Sequence, residues 1–221
     1  MKTKLLIVSI ACSGFANAQG AWTQKNNFLG TPRWAATGFS IGTKGYIGTG
    51  NDGTNKRDFW EWDQTSNTWT QMADFAGTAR RGAVGFSIGT KGYIGTGTDG
   101  SYKKDFWEWD QASNTWTQMA DFGGSIRRYA AGFSIGTKGY IGTGNVPGAG
   151  VVNDFWEWDQ TSNTWTQMAN FAGAARYGTI SFSIGTKGYI GTGDDLAGVF
   201  YKDFWEWDQT SNTWTQMADF A

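Results

Sequence analysis

The chain has 221 residues, with 18 basic and 19 acidic side chains, a formal net charge of −1, no histidine and one cysteine. The missing histidine excludes Ser-His-Asp and Cys-His nucleophile pairs and removes the commonest transition-metal ligand, and the near-neutral balance argues against nucleic acid as a main partner. Fourteen Trp, fifteen Phe and eight Tyr beside only two Pro describe an aromatic-rich folded core rather than a disordered polymer.

Residues 1–18 read as a secretory signal peptide. Lys2 and Lys4 give a positive start, Leu5 to Ala11 an apolar stretch, and Ala16-Asn17-Ala18 a small-x-small cleavage site before Gln19. The stretch is too short and wrongly flanked for a membrane span, and nothing later in the chain is apolar enough to be one. Cleavage near Ala18 leaves a secreted, periplasmic or surface protein of net charge −3 without its lone Cys12, and so without disulfides. The alternative, lipid attachment at Cys12, would tether the protein to a membrane, although Ser9 stands where such a signal places Leu.

The remainder says nearly the same thing four times. Asp58-Phe59-Trp60-Glu61-Trp62-Asp63 returns from Asp105, Asp154 and Asp203, at steps of 47, 49 and 49 residues. Gly-Tyr-Ile-Gly-Thr-Gly precedes each copy and Asn-Thr-Trp-Thr-Gln follows it. A period near fifty built from short β-like runs is that of a propeller blade. In the first copy, Trp34–Ile41 is the first strand, and a short loop at Gly42–Gly45 follows, whose second glycine is expected at positive φ. Tyr46–Gly50, Asp58–Asp63 and Thr68–Met72 complete an antiparallel meander, with Asn67 expected in a left-handed turn position. Phe59 lies on one pleat face and Trp60 and Trp62 on the other, as when both faces are covered by stacked blades. The expected division is 19–32 for an orphan fourth strand (Ala21-Trp22-Thr23-Gln24), then blades at 33–79, 80–126, 127–175 and 176–221.

These residues resemble the kelch-repeat family of β-propellers, which has a glycine-rich second strand, an aromatic pair in the third and a Trp after an Asn-containing turn. Here those are Gly48-Thr49-Gly50, Trp60 with Trp62, and Trp69, and the resemblance spans residues 20–221. Gly-Thr-Gly stands where the family has adjacent glycines. The resemblance implies an all-β propeller of four-stranded antiparallel blades in a ring of six or seven, of which this chain carries four whole blades and one extra strand. The blade count does not close, because the last blade has its own fourth strand at Thr213–Met217. The chain is therefore expected to be a fragment of a longer one. A four-bladed ring with a spare strand is one rival, and self-association through exposed blade faces is another.

Function is expected on the rim that carries the second-to-third-strand loops, where all seven Arg fall. Arg33, Arg80, Arg127 and Arg176 recur at one point of each repeat and suggest a partial ring for an acidic ligand, while Arg81 and Arg128 are extra. The competing expectation pairs each recurrent Arg with a carboxylate such as Asp58, Asp105, Asp154 or Asp203. Tyr102, Phe200 and Tyr201 lie in the loops that differ between blades and are the other candidates for contact with a ligand, unless they pack down as anchors. Asp52, Asp99, Asp194 and Asp195 fall short of the oxygens calcium wants, so no metal and no cofactor are expected. Glu61, Glu108, Glu157 and Glu206 are expected as hydrogen-bond partners between blades rather than as general acids. The family resemblance extends to copper oxidases, but their histidine ligands and cysteine-modified tyrosine have no counterpart here. The expected activity is non-catalytic binding of an extracellular glycan or protein. The alternative is an epimerase of acidic, sialic-acid-type sugars working through rim Arg and Glu.

Overall fold

The computed structural model describes residues 21–220, so the signal peptide, Ala18 and Cys12 lie outside the described residues. The first blade contains β1 (Thr37–Ile41), β2 (Lys44–Gly48), β3 (Phe59–Asp63) and β4 (Thr68–Met72), hydrogen-bonded in chain order. The second repeats it with β5 (Val84–Ile88), β6 (Lys91–Gly95), β7 (Phe106–Asp110) and β8 (Thr115–Met119). In the third, β9 (Ala131–Ile135), β10 (Lys138–Gly142), β13 (Phe155–Asp159) and β14 (Thr164–Gln167) form the sheet. Its long loop adds a two-residue hairpin, β11 (Asn145–Val146) and β12 (Gly150–Val151). The fourth has β15 (Ile180–Ile184), β16 (Lys187–Gly191), β17 (Phe204–Asp208) and β18 (Thr213–Gln216). Among the described residues there is no helix, and so none long and apolar enough to cross a membrane.

Register is the same in every blade, with Tyr46, Tyr93, Tyr140 and Tyr189 opposite Glu61, Glu108, Glu157 and Glu206. Two details of the first hairpin depart from expectation. Ile41 pairs with Lys44, leaving a two-residue loop in which the first glycine, Gly42, takes φ 57°. Gly45 instead sits inside β2 opposite Ser40, because a two-residue hairpin needs positive φ at its first central residue. The third-to-fourth turn is as expected: Asn67, Asn114, Asn163 and Asn212 are all left-handed, and each accepts the indole N–H of the Trp five residues earlier.

Blades stack by knob and socket. The Phe86 ring of blade two occupies the space in front of Gly139 of blade three, where an added Cβ would lie 2.4 Å from its Cζ. Phe39 fills the same space at Gly92, and Phe133 at Gly188. Behind each knob a Tyr and a Phe meet the buried Trp of the next blade: Tyr93 and Phe106 lie 4.9 Å and 5.1 Å from Trp158. Trp109, Trp158 and Trp207 are fully buried in this way, and truncating such a ring costs about 3–5 kcal/mol. Aromatic residues are therefore needed on both pleat faces, since each face serves a different junction.

The innermost strands β1, β5, β9 and β15 touch in sequence, but β15 does not touch β1, so the four blades form an open arc. Ala21–Gln24, expected as an orphan strand, pairs with none of the described sheets, and Trp22 is fully exposed. Among the described residues no blade has a vacant fourth place, because β4, β8, β14 and β18 fill all four.

Candidate functional site

The recurrent arginines are inside the protein. Arg80 spans from the linker before blade two to the start of β7, where its Nη1 and Nη2 bind Asp105 at 2.5 and 2.7 Å. Its Nη1 also donates to the Thr96 carbonyl (2.9 Å), its Nε to that of Thr78 (3.0 Å), and its guanidinium lies over Phe75. Burial alone would push the Asp105 carboxyl up, but the Arg80 fork and the Trp107 indole N–H hold it below the usual carboxylate range. Arg33–Asp58, Arg127–Asp154 and Arg176–Asp203 repeat the arrangement. Arg80, Arg127 and Arg176 have no solvent exposure at all. The partial ring of ligand-binding arginines is thus corrected to four structural pins, whose Nη donors meet the aspartate and the threonine carbonyl of their own blade.

The pins hold a strained turn. Thr49, Thr96, Thr143 and Thr192 all lie at φ near 60°, a region β-branched residues rarely enter, and each carbonyl accepts from its blade's Arg. The Gly-Thr-Gly departure from adjacent glycines is therefore a left-handed threonine, held in place by the arginine.

The recurrent glutamates are also occupied, though differently from the expectation. Glu108 accepts the Tyr93 hydroxyl within its own blade (2.6 Å) and lies 3.4 Å from Lys91. The bond across the junction comes one step later, from Gln160 of blade three to the Tyr93 hydroxyl (2.7 Å). Burial first, and then the Glu108 carboxylate, push the Tyr93 hydroxyl well above the ordinary range of tyrosine. Asp52 and Asp99 fold back on their own loops and pair with Lys56 and Lys103. Asp194 and Asp195 accept backbone N–H groups of their own loop, from Leu196 and Ala197. No group of three or more metal-ligating side chains occurs among the described residues.

What remains is the position immediately after each pin. Trp34, Arg81, Arg128 and Tyr177 make isolated bridges to the first loop residue of their blades, Asn51, Thr98, Asn145 and Asp194. The next residues, Ala35, Gly82, Tyr129 and Gly178, all have positive φ and lace the blades together near the axis. The Gly82 N–H donates to Ala35 (3.0 Å), Tyr129 to Gly82 (2.8 Å) and Gly178 to Tyr129 (3.0 Å). The frame is invariant while its side chains run aromatic, cation, cation, aromatic.

Arg81 lies over Trp34 (5.6 Å to the ring centroid) and donates to the Asn55 side chain (3.0 Å). Arg128 lies over Tyr102 (4.9 Å) and Tyr129 (5.3 Å). Neither forms an ion pair with a described carboxylate, and the Nε of each is buried without a hydrogen-bond partner. Tyr129 occupies with φ 54° a position that is glycine in blades two and four, and its ring lies 5.9 Å from that of Tyr177. Strain of this kind gathers at ligand-binding sites.

Of the loop aromatics, Tyr102 is tied to blade three through its hydroxyl on Asn145 (2.6 Å), and Tyr201 packs beneath Arg176 at 3.9 Å. Phe200 alone projects, 81% exposed. Arg57 makes an exposed 3.5 Å pair with Asp74. The site thus brings together Arg81, Arg128 and Tyr102 from the expected set and adds Trp34, Tyr129 and Tyr177. Their signal was present in the repeat alignment, in the two positions that follow an invariant arginine and vary.

Blade architecture and stacking define a β-propeller. No family model matches the chain, and no curated protein matches it. Among solved structures it is similar to the protein described as "Structure of YjhT", at a TM-score of 0.76 and 17% identity, covering 93% of this chain and 76% of that one. A likeness at that identity establishes the shared fold.

Proposed function

We propose that this chain is an exported kelch-type propeller that binds a carboxylate-bearing extracellular glycan, without catalysis, at the rim around Arg81 and Arg128. The observation that carries this reading is the contrast between two sets of arginines one residue apart. The pins spend their forks on carboxylates of their own blade, whereas Arg81 and Arg128 carry charge on the rim with no carboxylate partner among the described residues. A guanidinium fork matches a planar carboxylate through two charge-assisted hydrogen bonds. Trp34, Tyr102, Tyr129 and Tyr177 supply flat apolar surface beside those forks, against which a sugar ring can pack. An acidic protein segment would use the same forks but has less need of the flanking rings. The epimerase alternative gains no specific support, because the recurrent glutamates are held by Tyr and Lys of their own blades.

The test is binding of uronate- and sialate-containing oligosaccharides, beside neutral ones of equal length, to the wild type and to Arg81→Ala and Arg128→Ala. Loss of a charged hydrogen-bonding partner is expected to weaken binding of the acidic sugars by roughly tenfold or more in each variant. Silence across acidic and neutral glycans removes the proposal.

A further inference from the structure

We infer that a second copy of this chain docks head to tail, the free face of the fourth blade seating on the free face of the first blade of the next copy. The three junctions inside the chain show what each face requires. The leading face presents a Phe knob, a Tyr hydroxyl that accepts from a Gln, and an aromatic pair that covers a Trp. The receiving face presents the glycine socket, the Gln and the Trp.

Each end of the arc carries one half of that set without the other. Phe182, Tyr189 and Phe204 stack on one another (5.3 and 5.4 Å) but meet no Trp from a following blade. Ile184 beside them is 64% exposed, where Ile88 and Ile135 are 5% exposed. At the other end the Gly45 socket is empty, with only the blade's own Trp62 within 4 Å of an added Cβ. Gly92, Gly139 and Gly188 are buried beneath their knobs and Gly45 is not. Contiguous apolar surface of this kind marks an interaction site. Since the two halves are those of a junction the chain builds three times, the occupant that fits each is the other end of a second copy.

The N-terminal segment settles how the edges meet. Asn26 and Phe28 already sit on blade one as Ala73 and Phe75 sit on blade two. The Asn26 N–H donates to the Asn67 side chain (3.0 Å), the Trp69 indole donates to its carbonyl (3.1 Å), and Phe28 lies 5.0 Å from Trp69. The corresponding contacts of Ala73 and Phe75 are with Asn114 and Trp116. Trp22-Thr23-Gln24 stands as many residues before Asn26 as Trp69-Thr70-Gln71, a fourth strand, stands before Ala73. It also repeats the sequence Trp214-Thr215-Gln216 of β18. A blade docked on blade one therefore receives Trp22–Gln24 at its outer edge, and docking replaces β18 there in the same register. Such a contact is heterologous, so it runs on until a ring closes or a filament forms.

Sedimentation velocity from low micromolar to near-millimolar protein tests this, with circular dichroism as the check on folding. The wild type is expected to associate with rising concentration. Gly45→Trp fills the socket, Phe182→Ser removes the knob, and each is expected to stay monomeric alone. Mixed together they are expected to form a capped heterodimer, because each keeps the one good face the other lacks. Trp22→Ser is expected to weaken association more than about tenfold while leaving the melting temperature of the dilute monomer unchanged, since Trp22 touches nothing there. A wild type that is monomeric throughout, association that survives both face variants, or a mixture of folded variants that does not pair overturns the docking. Association unaltered by Trp22→Ser overturns the strand exchange.

Discussion

The Phe86 ring stands where a side chain on Gly139 would have to be, 2.4 Å from the position of its Cβ. Gly45 lies in the same local sequence, Lys-Gly-Tyr-Ile-Gly, but no knob stands before it: an added Cβ would meet only Trp62 of its own blade, at 3.8 Å. Gly139→Ala is accordingly expected to lower stability by about 1–3 kcal/mol through overpacking, and Gly45→Ala to change it by less than about 0.5 kcal/mol. Denaturant midpoints of the two variants, measured at low protein concentration, check the difference. Equal effects would mean that the junction is not packed as described.

Arg80 is completely buried and Asp105 is its only ion-pair partner among the described residues. Asp105→Asn keeps the shape and removes the charge, leaving a guanidinium buried without compensation. Loss of about 3 kcal/mol or more is expected, with glycan binding retained in the protein that remains folded. If instead the variant were stable and failed to bind, the pin would have to be reassigned to the ligand site.

Thr96 is β-branched, left-handed at φ 59°, and its buried hydroxyl has no partner. Thr96→Gly relieves both faults and keeps the carbonyl that Arg80 uses. A gain of about 1 kcal/mol is expected, read as a raised thermal midpoint. A loss would show that the threonine methyl packing outweighs the strain.

The aspartate pins set the acid limit. Asp58, Asp105, Asp154 and Asp203 have depressed folded values, so their stabilisation is fully present above the unfolded carboxylate value near 4 and is lost as pH falls through the folded values. Tyr93 and Tyr140 are raised, chiefly by burial, so theirs is fully present below about pH 10 and is lost as pH rises through the folded values. With no histidine in the chain, the thermal midpoint is expected to be flat between these limits, falling below about pH 4 and above about pH 10. A titration of stability centred near neutrality would contradict this.

Tyr129 carries left-handed strain at the rim and contacts Arg128 and Tyr177. Tyr129→Gly exchanges lost ring contact for relieved strain, and stability is expected to stay within about 1 kcal/mol. Affinity for the acidic glycan is expected to fall with it. Unchanged affinity would remove Tyr129 from the site.

The four blades show how far a repeat can be read. Strand order, turn asparagines and the need for aromatics on two faces were legible, because period and residue type act locally. The arginine pins were legible only as one of two options, since a charged fork in a sequence does not say which carboxylate it meets. Trp34, Tyr129 and Tyr177 stand out in the sequence only as varying positions after an invariant arginine, and it is the left-handed frame after each pin that brings them to one rim.

By itself the sequence determined the blade, since every strand, turn and register follows from contacts within some fifty residues that it writes four times. Tertiary structure alone decided what identical residues do. Gly45 and Gly139, or Trp62 and Trp109, share their neighbours in sequence and differ in whether another blade lies against them. Burial and packing are properties of what stands across the junction, and at the two ends of this arc nothing of the described chain stands there.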